Sequence, residues 1–381
     1  MINLNDKSAQ ELMELYFGMI NTETGDIPPE ETGKAMAYLT TAADKGLPEA
    51  WAELGACYYG GFGLEKDERK AMDYLEKAAL RDIANAQMNL YSLMWQNAKT
   101  DDEKRNALFW LDKAAEHEVV SALYETGSLY YNGLVYKQDF YKAAEYYSRA
   151  ADAGYAEALA MLGLMYQNSQ GFQRDLDKAA ECFTNAAEEG SLSGVFYSGI
   201  AYMGGLGLEQ DYDEAMTCFL AIVDLEEPFY LMPDLNDTQT RSDIALTYQR
   251  LAIYNLVYPM SHHNLGVIYQ QGLGVTEDAS QALYHFMCAA ENEYGPSCMQ
   301  AGTMLYVGDG HTADFEKAFE YLNRALNAGI NEAKVILGMM YFYGEGAEKD
   351  REKGLSLLDE LIAAGNVDAI KVKTDLLNGR K

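Results

Sequence analysis

Five side chains that can bind a metal or act as a nucleophile fall within a short part of the sequence. They are His262, His263, His285, Cys288 and Cys298. A structural zinc site needs about four such ligands converging on the ion. The spacing of these residues repeats no zinc signature, so we predict no metal site and no cofactor. An enzyme built on this cluster stays an alternative, which a metal measurement would test.

Enzyme motifs are missing from the rest of the sequence as well. The HExxH metalloprotease pattern, the Walker A phosphate loop and the GxSxG nucleophile elbow do not occur. Each Gly-x-Gly follows a predicted helix and not a strand, which excludes a dinucleotide-binding fingerprint. We therefore predict that the chain is not an enzyme.

A 36-residue period organises the chain that must position any site. Glycine recurs at Gly55, Gly127, Gly163, Gly199, Gly266, Gly302 and Gly338, and Tyr91 fills the slot at 91. An alanine recurs in phase at Ala71, Ala107, Ala143, Ala179, Ala215, Ala282 and Ala318. Two markers in phase over most of the chain predict a repeat architecture.

Each repeat is predicted to be a pair of helices. Small residues five before the marker and a tyrosine three after it share one face of a first helix. That tyrosine is Tyr58, Tyr130, Tyr166, Tyr202, Tyr269 or Tyr341. A Gly-x-Gly turn follows, and an aspartate twelve residues past the marker is expected to cap the second helix. The aspartates are Asp67, Asp139, Asp175, Asp211, Asp278, Asp314 and Asp350.

This pattern resembles the Sel1-like repeat, a branch of the tetratricopeptide-repeat superfamily. The motif A-x-x-x-L-G-x-x-Y-x-x-G-x-G-x-x-x-D-x-x-K-A can be followed from about Pro48 to Gly365. The resemblance implies an all-α fold, a right-handed α-α superhelix (solenoid) of about nine 36-residue helix-turn-helix repeats with one concave face. It implies no particular reaction.

The repeat spacing divides the chain into five parts. We expect a degenerate N-terminal repeat or cap at 1–46, Sel1-like repeats at 47–226, an insertion at 227–257, further repeats at 258–365 and a C-terminal cap at 366–381. The insertion begins with a Pro-rich loop, and the spacing of Ile244, Tyr248 and Leu251 predicts one extra helix within Ser242–Tyr258. It is either a degenerate repeat or spacer, or a binding element on one rim.

The resemblance also implies which side chains line the concave groove. They lie on the first helices, three residues before, one after and four after the marker. The predicted partner-binding residues at these offsets are Tyr59, Trp95, Tyr124, Tyr131, Phe196, His263, Tyr306 and Phe342. Aromatic side chains are common interface anchors. The alternative is that tight curvature buries them in the core, and both interpretations stay open here.

The charge of the chain limits its partners. Asp and Glu number 59 against 29 Lys and Arg, for a net charge of −30. Binding to phosphates or to anionic lipid needs a basic surface. We therefore predict a protein or peptide ligand, with no nucleic acid and no membrane. The alternative is an inhibitor or nucleic-acid mimic that binds a basic partner through its acidic surface.

Two features bear on location. The segment Met1–Ile20 lacks the apolar core of a signal peptide, and five cysteines without a CxxC motif are typical of a reducing compartment. We expect a cytoplasmic protein, or a translocated effector without a cleavable leader. The overall prediction is an adaptor in bacterial signalling or host interaction. Its oligomeric state stays open, with a monomer favoured.

Overall fold

The computed structural model describes residues 4–20, 27–225 and 244–379. These residues form α-helices joined by short turns, and no β-strand occurs among them. The chain divides into two compact units. Unit 1 comprises Met1–Ser191 and Glu226–Ile253, and unit 2 comprises Leu192–Leu225 and Tyr254–Lys381.

Unit 1 contains five consecutive helix pairs after a short 3-10 helix at Leu4–Asp6. The pairs are α1 (Ala9–Phe17) with α2 (Pro29–Asp44), α3 (Pro48–Gly60) with α4 (Glu68–Ala79), α5 (Ala84–Asn97) with α6 (Asp101–Glu116), α7 (Val120–Asn132) with α8 (Phe140–Asp152), and α9 (Ala156–Gln167) with α10 (Leu176–Glu188). The first helix of each pair packs on its second helix, and buried alanines let the helix axes approach closely.

Unit 2 repeats the same arrangement. Its helices are α11 (Leu192–Gly204) with α12 (Tyr212–Val223), the part of α13 (Ile244–Gln271) from Tyr254 onward with α14 (Ala279–Glu291), α15 (Gly295–Val307) with α16 (Phe315–Asn327), α17 (Ala333–Tyr343) with α18 (Arg351–Ala363), and α19 (Val367–Leu377). The all-α repeat fold predicted from the 36-residue period is confirmed.

The second helices begin where the sequence predicts. All seven predicted aspartates are N-caps whose carboxylates accept hydrogen bonds from backbone N–H groups of the first turn. Such caps satisfy donors that have no partner within the helix. The repeat with Tyr91 in the glycine slot uses Thr100 instead, and Glu103 completes a capping box.

The marker glycine lets the two helices of a repeat touch. A Cβ atom at Gly163 would lie 2.5 Å from Cε1 of Phe183, which is buried 20 residues further along. A contact that short would force the helices apart or displace the ring. The marker glycines therefore lie where the two helices of their repeats pack most closely.

The insertion differs in one respect from the sequence-based expectation. The extra helix is present from Ile244, but it continues without a break into the first helix of the following repeat. Pro259 lies inside this 28-residue helix, where its fixed φ suits helical backbone although one backbone hydrogen bond is lost. Ser261 Oγ donates to the carbonyl oxygen of Val257 at 2.9 Å. The predicted loop at the start of the insertion lies outside the described residues.

Candidate partner-binding surface

Tyr59, at the end of α3, is fully buried in unit 1. Its hydroxyl lies 2.8 Å from Ser92 Oγ, and Gln96 Nε2 donates to it at 3.0 Å. Its ring centroid is 5.3 Å from that of Tyr248. Burial raises the pKa of Tyr59 to about 12, against the lowering effect of these hydrogen bonds. In this conformation Tyr59 packs as core, the alternative that the sequence left open.

The other three predicted residues of unit 1 are half-buried. Trp95 on α5 has the ammonium of Lys104 at 5.7 Å from its ring. On α7, Tyr131 donates its hydroxyl to Gln170 Oε1 at 2.8 Å. Tyr124 packs between two further tyrosine rings, and burial raises the pKa of its phenol. Each of these residues is partly accessible, and each is also held by a neighbour.

The predicted residues of unit 2 divide in the same way. Phe196 and Phe342 are buried, whereas His263 and Tyr306 are half-buried. His263 Nδ1 lies 2.8 Å from Ser297 Oγ, and burial lowers the pKa of the imidazole. Tyr306 donates its hydroxyl to a glutamate oxygen at 3.0 Å. Partner binding by these residues stays a prediction.

The start of α13, residues 244–253, packs on the first helices of unit 1, and we call it the docked segment. Ala245 and Leu246 are 2% exposed and belong to the apolar core formed with α5 to α9. Tyr248 contacts the ring of Tyr59 on α3. The docked segment therefore covers first-helix side chains of consecutive repeats.

Polar groups of the repeats also contact the docked segment. Asn89 Oδ1 on α5 accepts a hydrogen bond from the backbone N–H of Ala245 at 3.2 Å. This N–H belongs to the first helical turn, where donors have no partner within the helix. On α7, the carbonyl oxygen of Ser121 accepts from Gln249 Nε2 at 3.0 Å. The surface thus binds both the backbone and a side chain of a helix.

Glu125 is the ionisable group of this contact. Its Oε1 accepts a hydrogen bond from the hydroxyl of Tyr91 at 2.9 Å. Burial raises the pKa of the Glu125 carboxyl, while hydrogen bonds from Tyr91 and Gln249 partly oppose that shift. Burial and the nearby carboxylate also raise the pKa of Tyr91. A cation would stabilise the ionised form of Glu125.

The three offsets taken from the family resemblance miss two of these polar contacts. Asn89 and Glu125 both lie two residues before the marker position of their repeats, next to the predicted row. The signal was present in the sequence, because Glu53 occupies the same offset in the preceding repeat. A polar residue recurring beside an apolar row of a first helix indicates a specific contact, since burying it without a partner would cost stability.

The His and Cys cluster lies in unit 2. His262 and His285 are buried, and their Nδ1 atoms are 2.9 Å apart, so one ring donates to the other. Burial lowers the pKa of each imidazole to about 4; the charge of Asp224 partly opposes this for His262, and His262 adds to it for His285. Cys298 Sγ instead faces the carbonyl oxygen of Ala290 at 3.8 Å. Throughout the described ranges, no three His, Cys, Asp or Glu side chains are grouped as metal ligands.

Burial raises the pKa of four thiols, those of Cys182, Cys218, Cys288 and Cys298. No disulfide joins any of the five cysteines, all of which lie in the described residues. Burial raises the pKa of Cys182 and that of Cys218 to about 11, whereas a reactive thiol needs a lowered pKa. None of the described helices is both long and apolar enough to cross a bilayer.

The repeats match a known protein family. The sequence matches the Sel1 repeat family model in nine segments that cover most of the chain: 22–47, 48–82, 86–118, 120–155, 156–191, 194–223, 259–294, 295–330 and 331–366. No curated protein matches the sequence.

Two solved structures share the fold. One is a Sel1 repeat protein from Oxalobacter formigenes, at 22% identity, with 88% of each chain covered and a TM-score of 0.58. The other is a protective antigen present in uropathogenic Escherichia coli strains that displays an SLR fold. The antigen is 22% identical in sequence, and the match covers 100% of this chain and 91% of the antigen, with a TM-score of 0.51. At this identity the likeness concerns the fold.

Proposed function

We propose that this chain, which belongs to the Sel1 repeat family, is a non-catalytic scaffold that binds a protein or peptide in the concave groove of its first helices. Sel1 repeat proteins generally mediate protein–protein interaction, and the family is generally non-catalytic. One observation carries the proposal for this chain. Half-buried apolar side chains recur at the same offsets on the first helices of unit 2: Met299 and Val335 lie three residues before the marker, and Val267 and Met339 lie one after it. Tyr306, four residues after the marker, is half-buried as well.

These side chains suit a protein interface. Methionine is flexible and polarisable and adapts to the shape of a partner, while tyrosine combines apolar area with a polar tip. The raised pKa values of the Cys182, Cys218, Cys288 and Cys298 thiols support a non-catalytic role. A reducing compartment such as the cytoplasm stays the prediction for its location, since none of the five cysteines forms a disulfide.

Capture of a partner tests the proposal. The full chain is immobilised, incubated with a lysate of the source organism at low and at physiological salt, and bound proteins are identified by mass spectrometry. We expect a partner that survives physiological salt and is lost when Met299 and Met339 are changed together to Ser. The matched control is Val307→Ser, because Val307 lies on the same helix α15 but is 65% exposed and outside the predicted rows.

Two outcomes would contradict binding of the partner in the groove. Loss of the partner with Val307→Ser as well shows that the offsets do not define the site. A basic partner that is released by physiological salt and is indifferent to both variants supports the acidic-surface alternative, for which the net charge of −30 is the motivating observation.

A further inference from the structure

The docked segment is bound to unit 1 in the manner of a helical ligand. Leu246 and Tyr248 supply apolar contacts, and Asn89 accepts the backbone N–H of Ala245 in the first helical turn. The segment reaches this position from far along the chain, 156 residues after Asn89. The first helices of unit 1 therefore form a surface that binds the first turns of an α-helix.

The polar fit of the docked segment is incomplete. Within the described residues, Gln249 Oε1 and Thr247 Oγ1 are buried without a hydrogen-bond partner. A buried acceptor without a donor loses its hydration and receives nothing in return. Two atoms of the segment thus weaken its own binding, while the opposing surface would remain the same for another helix.

The mismatch at Gln249 has a definite chemical cause. The surface presents two acceptors to this side chain, the Ser121 carbonyl oxygen and the Glu125 carboxylate. The amide NH2 of Gln249 can donate to both of these acceptors. Its amide oxygen, however, is also an acceptor and finds no donor among the described residues of this surface. A guanidinium or ammonium group carries donors only, and its charge would pair with the carboxylate.

We propose that the first-helix surface of unit 1 is a receptor for an amphipathic helix of a partner protein that carries Arg or Lys at the position of Gln249 and an apolar residue at the position of Thr247. The docked segment holds this surface as an internal, imperfect ligand that the partner helix displaces. This inference rests on the proposed scaffold function and adds the chemistry of the ligand. The acidity of the chain favours the approach of a basic helix.

A peptide series tests the proposal on the full chain. The probes are fluorescein-labelled, N-acetylated peptides of residues 244–256: the native sequence, a Thr247→Val/Gln249→Arg version and a Gln249→Glu version. Fluorescence anisotropy measures their dissociation constants. We expect the Arg peptide to bind at least tenfold more tightly than the native peptide, and the Glu peptide at least tenfold more weakly, because its carboxylate faces Glu125.

Two protein variants assign the effect. Glu125→Gln keeps the size and shape of the side chain but removes its charge and replaces one acceptor oxygen with a donor, so the advantage of the Arg peptide should shrink below about threefold. Tyr248→Ala/Gln249→Ala weakens the internal ligand, so every peptide should bind at least tenfold more tightly to it than to the wild type. Ala252→Ser, at an exposed position of the docked segment, should change neither result.

Each remaining outcome overturns the proposal. Equal affinities across the peptides, an Arg advantage that survives Glu125→Gln, or failure of all peptides to bind the Tyr248→Ala/Gln249→Ala variant would exclude a basic-helix receptor. A concentration-dependent dimer abolished by Tyr248→Ala/Gln249→Ala would assign the surface to a second copy of this chain. Capture of a partner that depends on Met299 and Met339 would leave the scaffold function standing in each of these cases.

Discussion

The same two offsets differ in exposure between one repeat of unit 1 and one repeat of unit 2. In unit 1, Met88 and Asn89 lie three and two residues before the marker position and are each 1% exposed. In unit 2, Met299 and Gln300 occupy the same offsets and are half-buried. The repeat sequence is closely matched at these positions, so the repeat itself does not set their accessibility. The docked segment donates a hydrogen bond to Asn89 from Ala245, and its Ala245 and Leu246 share an apolar core with Met88. We infer that it contributes to their burial.

The ionisable groups of the two units respond to acid in opposite directions. The pKa of Glu125 in unit 1 is raised, so its desolvation cost falls as the carboxyl is protonated. The pKa values of His262 and His285 in unit 2 are lowered to about 4, so these rings resist protonation only while they stay buried. Lowering the pH should therefore destabilise unit 2 before unit 1.

The largest expected effect comes from removing the main apolar contact of the docked segment. Leu246→Ala should reduce stability by about 3 kcal/mol, since it deletes a buried side chain and leaves a cavity. Peroxide oxidation followed by mass spectrometry should then find Met88 as reactive as Met299. In the wild type, Met299 should react faster than Met88. Leu256→Ala, at a side chain that is 57% exposed, is the control and should leave Met88 protected.

Acidification is the second test. The folded pKa of His262 and His285 is about 4 against about 6.5 when unfolded, so their contribution is complete above pH 6.5 and is lost as the pH falls toward 4. Hydrogen exchange at pH 7 and at pH 5 should show weaker protection of unit 2 at pH 5. Persistence of this loss in His262→Phe/His285→Phe would refute the assignment.

A matched pair of amide truncations gives a smaller difference. Asn89→Ala leaves the N–H of Ala245 without its acceptor and should cost about 1–2 kcal/mol. Gln300→Ala, at the same offset in unit 2, should cost less than about 0.5 kcal/mol, as is usual for a partly exposed side chain. Urea unfolding of both variants measures the contrast. Equal losses would mean that the docked segment does not distinguish the two surfaces.

The smallest effect is expected for the charge of Glu125. Glu125→Gln should raise the free energy of unfolding at pH 7 by less than about 1 kcal/mol, because a neutral amide avoids the cost of burying a carboxylate. The protection factors of the docked segment, which are corrected for the intrinsic effect of pH on exchange, should then be the same at pH 7 and at pH 5. A large destabilisation would show that Glu125 already has a cationic partner.

Most of the fold follows from local signals in the sequence. The marker glycine, the capping aspartate and the apolar face lie within one repeat, and each acts on its own helix pair, as Gly163 does with Phe183. These features therefore predict the helices and the repeat count. The binding surface depends on a distant contact instead. Tyr59 satisfies the sequence pattern of a groove residue but is buried, and the ring of Tyr248 from the docked segment packs against it.

The docked segment could be predicted as a helix but not as a neighbour of α5 and α7. Its spacing of apolar residues is helical, which the continuous helix from Ile244 confirms. Nothing in a repeat pattern says which repeats an inserted helix will contact, since that depends on the path of the chain between them. Asn89 and Glu125 carry the recognisable signal, a polar row next to an apolar one.

The hydrogen bond between Ala245 and Asn89 also changes how unit 1 is expected to unfold. An array in which each repeat touches only its neighbours can fray from its ends, one repeat at a time. A contact across 156 residues of sequence ties the docked segment to the repeats of α5 and α7 and must wait for a long loop to close. Folding should be slower than for an uninterrupted array of the same length. Once the segment is docked, these repeats should open together as one cooperative block.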